Sequence, residues 1–275
     1  MELLTHAATS CLKKSSFNYD DIELLIYSGV YRSDYVMEPA YAALLAGELN
    51  MNATVSGPGD KRTLAFDVFN GSVGFLNACY VAQQMIEAGN CNTTMIVAAE
   101  SNNNSDSFAG ELVGFFETAS ALILDGRSAA DKGFSRFHFS CQVESINAYT
   151  TYYTNGEPEP YLQVVKDTNL EALYIGCILP AVRELLQMEG IDLTCIDKVF
   201  PPQISSAFIT RLSQQLGIPL EKFVDVAGEG PDYFSSSLPY ALEHSYEAGL
   251  VSAGDIGLMI VVGSGIQVGC AIYHF

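Results

Sequence analysis

The order of helices and strands repeats itself in the two halves of this 275-residue chain. The stretch "DDIELLIYSGV" at 20–30 resembles "TCIDKVFPPQI" at 194–204, and "EAGNCNTTMIVAAE" at 87–100 resembles "EAGLVSAGDIGLMIVVGSG" at 247–265. The two stretches of the first pair, 20–30 and 194–204, each follow an amphipathic helix and precede another helix and a short strand. The strands are short continuous apolar runs, typical of sheets that helices cover on both faces. The repeat therefore predicts two related α/β halves in which strands alternate with helices.

We place the boundary between the halves at residue 130, which gives an N-terminal half of 1–130 and a C-terminal half of 131–275. Segment 143–168 contains many tyrosines together with Pro and Gly, and we predict an irregular connecting loop that covers part of the molecule. The ending "GLMIVVGSGIQVGCAIYHF" predicts two strands joined by a glycine-bearing turn.

Composition argues against several classes of function. The chain has 13 basic and 32 acidic residues, and this net charge of −19 repels nucleic acid and favours a less acidic protein partner. No apolar run is long enough to span a membrane and no secretory signal is recognised, so we expect a cytoplasmic protein. The seven cysteines and four histidines lack metal-ligand spacing. We therefore expect reduced thiols, no metal and no other cofactor.

The stretch "AFDVFNGSVGFLNACYVAQQMIEAG" at 65–89 contains a short strand, a tight turn of small residues and a long helix. This arrangement can present a nucleophile to a pocket, and Ser72 lies at the tip of the turn. A serine hydroxyl reacts only when a base is within reach to take its proton. Ser72 can instead cap the helix by accepting a hydrogen bond from a free backbone N–H. The stretch alone leaves both interpretations open.

The duplicated halves, the stretch "AFDVFNGSVGF", the Pro–x–Gln at 201–203, the "SSSLP" at 235–239 and the terminal "GSGIQVGCAI" resemble the thiolase superfamily. The closest resemblance is to its β-ketoacyl-ACP synthase III branch, and it covers nearly the whole chain. It implies an α/β fold of thiolase-like duplicated halves in layers α/β/α/β/α. The resemblance also implies a first strand, central in its half-sheet, ahead of the first helix. Because Met1 already lies in that helix, we expect the N-terminal half to lack its usual first strand.

The resemblance implies that a cysteine, a histidine and an asparagine carry out acyl transfer in this family. Their positions fall on Ser72, Pro202 and Asp232. Proline offers neither a base nor a donor, and an ionised aspartate would repel a developing oxyanion. Asp232 can alternatively be a cap or turn residue. We therefore expect a degenerate site without catalytic residues, and whether the chain is an enzyme stays open.

The resemblance implies three possible functions. The first is a non-catalytic subunit that pairs with and completes an active β-ketoacyl synthase in fatty-acid, polyketide or secondary-metabolite biosynthesis. An intact ketosynthase III-like paralogue is favoured over a second copy of the chain, and acyl-CoA or acyl-carrier protein would be reached through that partner. The second is an acyltransferase or condensing enzyme of altered chemistry that uses Ser72 and Asp232. The third is an acyl-binding protein without turnover. The expected interface residues are Leu64, Phe66, Val68, Phe69, Met37 and Glu38.

Overall fold

The computed structural model describes residues 1–53, 57, 62–104, 117–127, 132–154, 161–228 and 232–275. The helices are α1 Glu2–Lys13, α2 Tyr41–Glu48, α3 Gly74–Glu87, α4 Leu170–Glu189, α5 Ser206–Leu216 and α6 Ser237–Glu247. The strands are β1 Leu24–Ser28, β2 Leu64–Val68, β3 Thr93–Glu100, β4 Thr118–Asp125, β5 Gly133–Cys141, β6 Tyr149–Thr154, β7 Tyr161–Lys166, β8 Lys198–Phe200, β9 Ile256–Gly263 and β10 Gln267–His274. The proposed boundary between residues 130 and 131 lies outside the described residues.

Two four-stranded mixed sheets have the orders β2-β1-β3-β4 and β5-β10-β9-β8. In the first sheet β1 is parallel to β2 and β3, whereas β4 is antiparallel to β3. In the second sheet β8 is parallel to β9, and β10 is antiparallel to both β9 and β5. Because β1, β3 and β4 repeat the order and directions of β8, β9 and β10, the predicted duplication is confirmed.

The expectation that the first strand of a half lies at the centre of its half-sheet is wrong. Strand β5 opens the second half, and it lies at the edge of its sheet beside β10. In the first sheet β1 pairs directly with β3, from Leu24 opposite Thr94 to Ser28 opposite Ala98, so no central gap exists. Within the described residues the first sheet has no counterpart of β5, and β4 is therefore an edge strand.

Alternating side chains of the central strands divide the core into layers. Leu25 and Tyr27 of β1 face α1 and α2, whereas Leu24 and Ile26 face the space between the sheets, which α3 and α6 fill. Helices α4 and α5 cover the outer face of the second sheet. This packing gives the predicted layers α/β/α/β/α.

The segment predicted as an irregular loop contains a β-hairpin instead, because β6 and β7 pair antiparallel from Tyr149 opposite Lys166 to Thr154 opposite Tyr161. Its "YTTYYT" run is rich in residues that favour strands. The terminal hairpin of β9 and β10 is as predicted, with Gly265 at φ +125°. Among the helices in the described ranges, none has both the length and the apolar character needed to cross a membrane.

Candidate functional site

Ser72, Pro202 and Asp232 lie on the wall of one cavity of about 670 Å³. Residues of both halves line this cavity, since Ser72 follows β2 whereas Pro202 and Asp232 belong to the second half. The wall also carries apolar side chains, among them Val30, Leu170, Ile204, Leu238, Ile260 and Val262. The fold thus brings together the three positions that the sequence singled out.

Ser72 lies in a 3-10 turn, Gly71–Val73, between β2 and α3. Gly71 has φ +50°, a left-handed conformation that glycine adopts without steric cost. The residues that cap this turn and α3 are Asn70 and Val73, and neither makes a side-chain capping bond. The Ser72 hydroxyl makes no hydrogen bond to any residue in the described ranges. The interpretation of Ser72 as a helix cap is therefore wrong.

The Asn70 side chain holds this turn against the second half. Its Nδ2 donates to Asn77 Oδ1 at 2.7 Å and to Gln267 Oε1 at 2.9 Å. At the start of α3, a Cβ on Gly74 would lie 2.8 Å from Ser28 Oγ, so a glycine is needed for the close approach to β1. These contacts fix the backbone on which Ser72 is displayed.

Pro202 is buried in the loop after β8. Gln203 anchors this loop: its Nε2 donates to the carbonyl oxygens of Pro201 at 3.0 Å and Val224 at 2.9 Å, and its Oε1 accepts from Val226 N at 2.9 Å. The Gln203 amide is thus committed to backbone groups. Neither residue supplies a proton acceptor that could activate Ser72.

Within the described residues, the hydrogen bonds of Asp232 go to Oδ1, which accepts from Phe234 N at 2.8 Å and from Ser237 Oγ at 2.9 Å. The bond to the backbone N–H two residues ahead is that of an Asx turn, so the turn interpretation is confirmed. Burial raises the pKa of Asp232, while these two bonds and the charge of Lys166 oppose the rise.

A second buried carboxylate, Glu100, lies behind the cavity wall and was missed at the level of sequence. It accepts hydrogen bonds from Val30 N at 3.0 Å and Tyr31 N at 2.7 Å, and both of these residues line the cavity. Burial raises the pKa of Glu100 to about 7, and the charge of Asp232 adds to the rise. The signal was available, because an acidic residue ends the otherwise buried apolar run "MIVAAE".

The hairpin of β6 and β7 brings Tyr149 and Lys166 to the same cavity, which Tyr31 and Tyr174 also line. Lys166 Nζ lies 5.4 Å from the centroid of the Tyr149 ring. Burial raises the pKa of all three tyrosines and lowers that of Lys166. Nothing in the sequence connects this segment with Ser72, because its Pro and Gly predict a loop.

The predicted interface residues differ in exposure. Met37, Leu64 and Phe69 are 72%, 52% and 48% exposed, and Glu38 is exposed as well. Phe66 and Val68 are half-buried, because their side chains pack against the core between the sheets. The side chains of Phe66 and Val68 therefore pack against the core, whether or not the backbone of β2 forms an interface.

A buried ion pair connects the two predicted interface segments. The Arg32 guanidinium is paired with Asp67 of β2, and its Nη1 donates to the Met37 carbonyl at 2.8 Å. The Phe69 ring centroid lies 4.2 Å from the same guanidinium. Asp67 in turn accepts from the backbone N–H groups of Tyr41 at 2.7 Å and Ala42 at 2.9 Å, at the start of α2. Arg32 thus holds the loop that contains Met37 beside β2.

Among the residues that the structure describes, no group of three or more His, Cys, Asp or Glu side chains is arranged to hold a metal ion.

Three comparisons relate the chain to known proteins. Residues 186–275 match the family model of the 3-oxoacyl-[acyl-carrier-protein (ACP)] synthase III C terminal. The chain is 25% identical over 275 residues to the β-ketoacyl-[acyl-carrier-protein] synthase III of Methylococcus capsulatus, an alignment that covers 98% of this chain and 82% of that protein. The β-ketoacyl-[acyl-carrier-protein] synthase III of Aquifex aeolicus is 23% identical, with 99% and 83% covered.

Solved structures agree in fold. The 3-oxoacyl-(acyl carrier protein) synthase III, FabH, of Pseudomonas aeruginosa PAO1 has a TM-score of 0.83 at 19% identity, with 100% of this chain and 82% of that chain covered. An OleA variant of Xanthomonas campestris, solved with bound lauric acid and lauroyl-CoA, has a TM-score of 0.83 at 22% identity with the same coverage. The predicted thiolase-like fold and the resemblance to synthase III are confirmed.

Proposed function

We propose that this chain, a β-ketoacyl-ACP synthase III-like protein, is a non-catalytic subunit that pairs with and completes an active synthase homologue. The observation that carries the proposal is the chemistry at Ser72, Pro202 and Asp232. Acyl transfer through a hydroxyl needs a base, and the oxyanion that forms needs hydrogen-bond donors. The Ser72 hydroxyl has no partner among the described residues, Pro202 can neither accept nor donate a proton, and Asp232 acts as an acceptor.

The surface around β2 supports pairing. The Leu64 N–H donates to Glu23 O at 2.9 Å, towards β1. Because backbone groups alternate along a strand, the N–H groups of Ala65 and Asp67 point to the open edge of the sheet. Unpaired edges of this kind readily accept another strand. We propose that β2 pairs antiparallel with the same strand of a partner chain.

An intact ketosynthase III-like paralogue fits this role better than a second copy of the chain. Two copies would each bring a net charge of −19, and this repulsion opposes association. A paralogue with its own cysteine, histidine and asparagine would perform the chemistry, and acyl-CoA or acyl-carrier protein would act at the partner's site. The proposal places the pair in the cytoplasm, in fatty-acid, polyketide or secondary-metabolite biosynthesis.

The test of the non-catalytic role is Ser72→Ala in a co-purified pair with an intact synthase III homologue. We expect the same rate of condensation as for the wild-type pair, because no step depends on this hydroxyl. The isolated chain, incubated with acyl-CoA and measured as an intact mass, should stay unmodified. Loss of turnover with the complex intact, or an acyl adduct on Ser72, would overturn the proposal.

The test of pairing is Ala65→Pro, which removes a backbone N–H at the open edge of β2 while leaving the bonds to β1 intact. Val68→Arg is a poorer probe because Val68 packs against the core. Ala121→Pro is the matched control on the opposite edge strand, β4: Gly126 N donates to Asn92 O, so by alternation the Ala121 N–H points away from β3. In co-purification, we expect Ala65→Pro to lose the partner and Ala121→Pro to keep it. Retention of the partner by Ala65→Pro would contradict pairing through β2.

A serine acyltransferase that uses Ser72 and Asp232 is the second candidate. One observation favours it, since Ser72, whose hydroxyl has no hydrogen-bond partner in the described ranges, lines a cavity that Asp232 also lines. An acyl-binding role without turnover is the third candidate. The acyl adduct on Ser72 separates the second candidate from the other two, and co-purification of a partner separates the first from the third.

A further inference from the structure

The cavity wall carries a carboxylate oxygen that accepts no hydrogen bond from the part of the chain that the structure describes. Both hydrogen bonds to Asp232 go to Oδ1, from Phe234 N and Ser237 Oγ. Its Oδ2 accepts no hydrogen bond from the described residues, and Asp232 is partly exposed where it lines the cavity. A carboxylate oxygen that faces a cavity can accept a hydrogen bond from a charged donor.

Aromatic rings line the same cavity as this carboxylate. Tyr31, Tyr149 and Tyr174 are buried and line the same cavity, and the charge of Asp232 contributes to the raised pKa of Tyr149 and of Tyr174. Faces of aromatic rings attract cations. The wall already accommodates one, because the Lys166 ammonium lies over the Tyr149 ring.

The remaining charges of the cavity also disfavour an anionic occupant. Asp167 and Glu171 line its wall, and Glu100 lies buried behind it. Of the two basic residues on the wall, Arg211 is paired with Glu171. The other basic residue, Lys166, lies over the Tyr149 ring, and its charge also acts on Asp232. A carboxylate or phosphate would have to approach Asp232 against this negative field.

We propose that the cavity binds a small molecule that carries a primary ammonium group on an apolar body. The ammonium donates to Asp232 Oδ2 beside the tyrosine rings, and the apolar body occupies the part of the cavity lined by Ile204, Leu238 and Ile260. This binding role goes beyond the proposed non-catalytic subunit and does not depend on it, because the pairing strand β2 is a separate element.

A competing role for Asp232 is to stay protonated and donate a hydrogen bond to the carbonyl of an acyl thioester. The two roles differ in what asparagine does at this position. An asparagine side chain can donate to a carbonyl, but it cannot offer an ammonium group the charge of a carboxylate. The variant Asp232→Asn should therefore keep acyl binding under the competing role and lose ammonium binding under ours.

Calorimetric titration of the isolated chain near neutral pH with n-octylamine and with octanoate tests the proposal. The two probes share chain length and differ in head-group charge. We expect octylamine to bind more tightly by about tenfold or more, and Asp232→Asn to weaken octylamine by at least about tenfold without weakening octanoate. Asp167→Asn, which removes the same charge elsewhere on the wall, should change octylamine affinity by less than about threefold.

The wild-type comparison of the two probes decides the proposal even if Asp232→Asn fails to fold. Octanoate binding as tightly as octylamine would overturn it, and so would the absence of saturable octylamine binding at millimolar concentration. Equal octylamine affinity in a folded Asp232→Asn variant would overturn the assignment to this carboxylate.

Discussion

Glu100 is a buried carboxylate whose pKa is raised from an ordinary 4.5 to about 7, chiefly by burial. Because the folded state holds the proton more tightly, protonation of Glu100 stabilises the fold fully below the unfolded pKa, and this contribution is lost as pH rises through the folded pKa. We expect the loss to be on the order of 3 kcal/mol between those two values. Glu100→Gln should remove it, since the amide does not titrate.

Urea unfolding of wild type and Glu100→Gln at acidic and mildly alkaline pH measures this difference. The unfolding free energy of wild type relative to Glu100→Gln should fall as pH rises. Glu117→Gln is the matched control, because Glu117 also accepts a backbone N–H, from Asn102 at 2.7 Å, but is exposed. A pH-independent difference between wild type and Glu100→Gln would contradict the assignment.

The candidate site was only partly predictable residue by residue. Ser72, Pro202 and Asp232 could be placed because local motifs surround each of them, and the cavity contains all three. The hydrogen bond from Asn70 to Gln267, which fixes the turn, could not be predicted. It depends on how the two halves pack, and the positions of the two residues in the sequence do not show how closely they approach in the fold.

At the scale of elements, the ion pair between Arg32 and Asp67 connects β2, α2 and the loop before α2. The side chains of the pair are only 3% and 5% exposed. Arg32→Met leaves the Asp67 carboxylate buried without its cation, and we expect a loss of about 3–5 kcal/mol in unfolding free energy. The double variant with Asp67→Asn should recover part of this loss, because no charge then remains buried.

Urea unfolding of the wild type, the two single variants and the double variant measures the coupling between the residues. Lys14→Met is the control for an exposed pair, because Lys14 and Glu243 are 64% and 51% exposed. Its effect should be much smaller than that of Arg32→Met, because water screens an exposed pair. Additive effects of Arg32→Met and Asp67→Asn would show that the pair does not act as a unit.

Most elements were predictable where apolar runs and a repeat support each other. Strands β1, β3, β8 and β9 are buried runs that recur in both halves, and the terminal hairpin has its own glycine turn. The hairpin of β6 and β7 was missed because Pro and Gly in the segment outweighed its strand-forming tyrosines and threonines. No repeat supported it, since these two strands form a separate sheet outside both half-sheets.

At the scale of the whole molecule, two strands of the first sheet, β2 and β4, have an open edge within the described residues. The exposed side chains of Met37, Leu64 and Phe69 lie beside the edge of β2. Arg32 holds the loop that contains Met37 against this strand. A strand edge bordered by apolar side chains favours partner docking more than a bare edge does. We therefore expect β2 to be the edge that pairs, over an interface of roughly 2,000 Å² or more.

Hydrogen exchange, read at single amides, tests this assembly through the alternation of the β2 backbone. The N–H groups of Leu64, Phe66 and Val68 point towards β1, so they should be protected both in the isolated chain and in the complex. The N–H groups of Ala65 and Asp67 point outwards, so they should exchange quickly in the isolated chain and become protected only when the partner binds. Light scattering of the same samples supplies the stoichiometry. Fast exchange at Ala65 and Asp67 in a stable complex would place the partner on another surface.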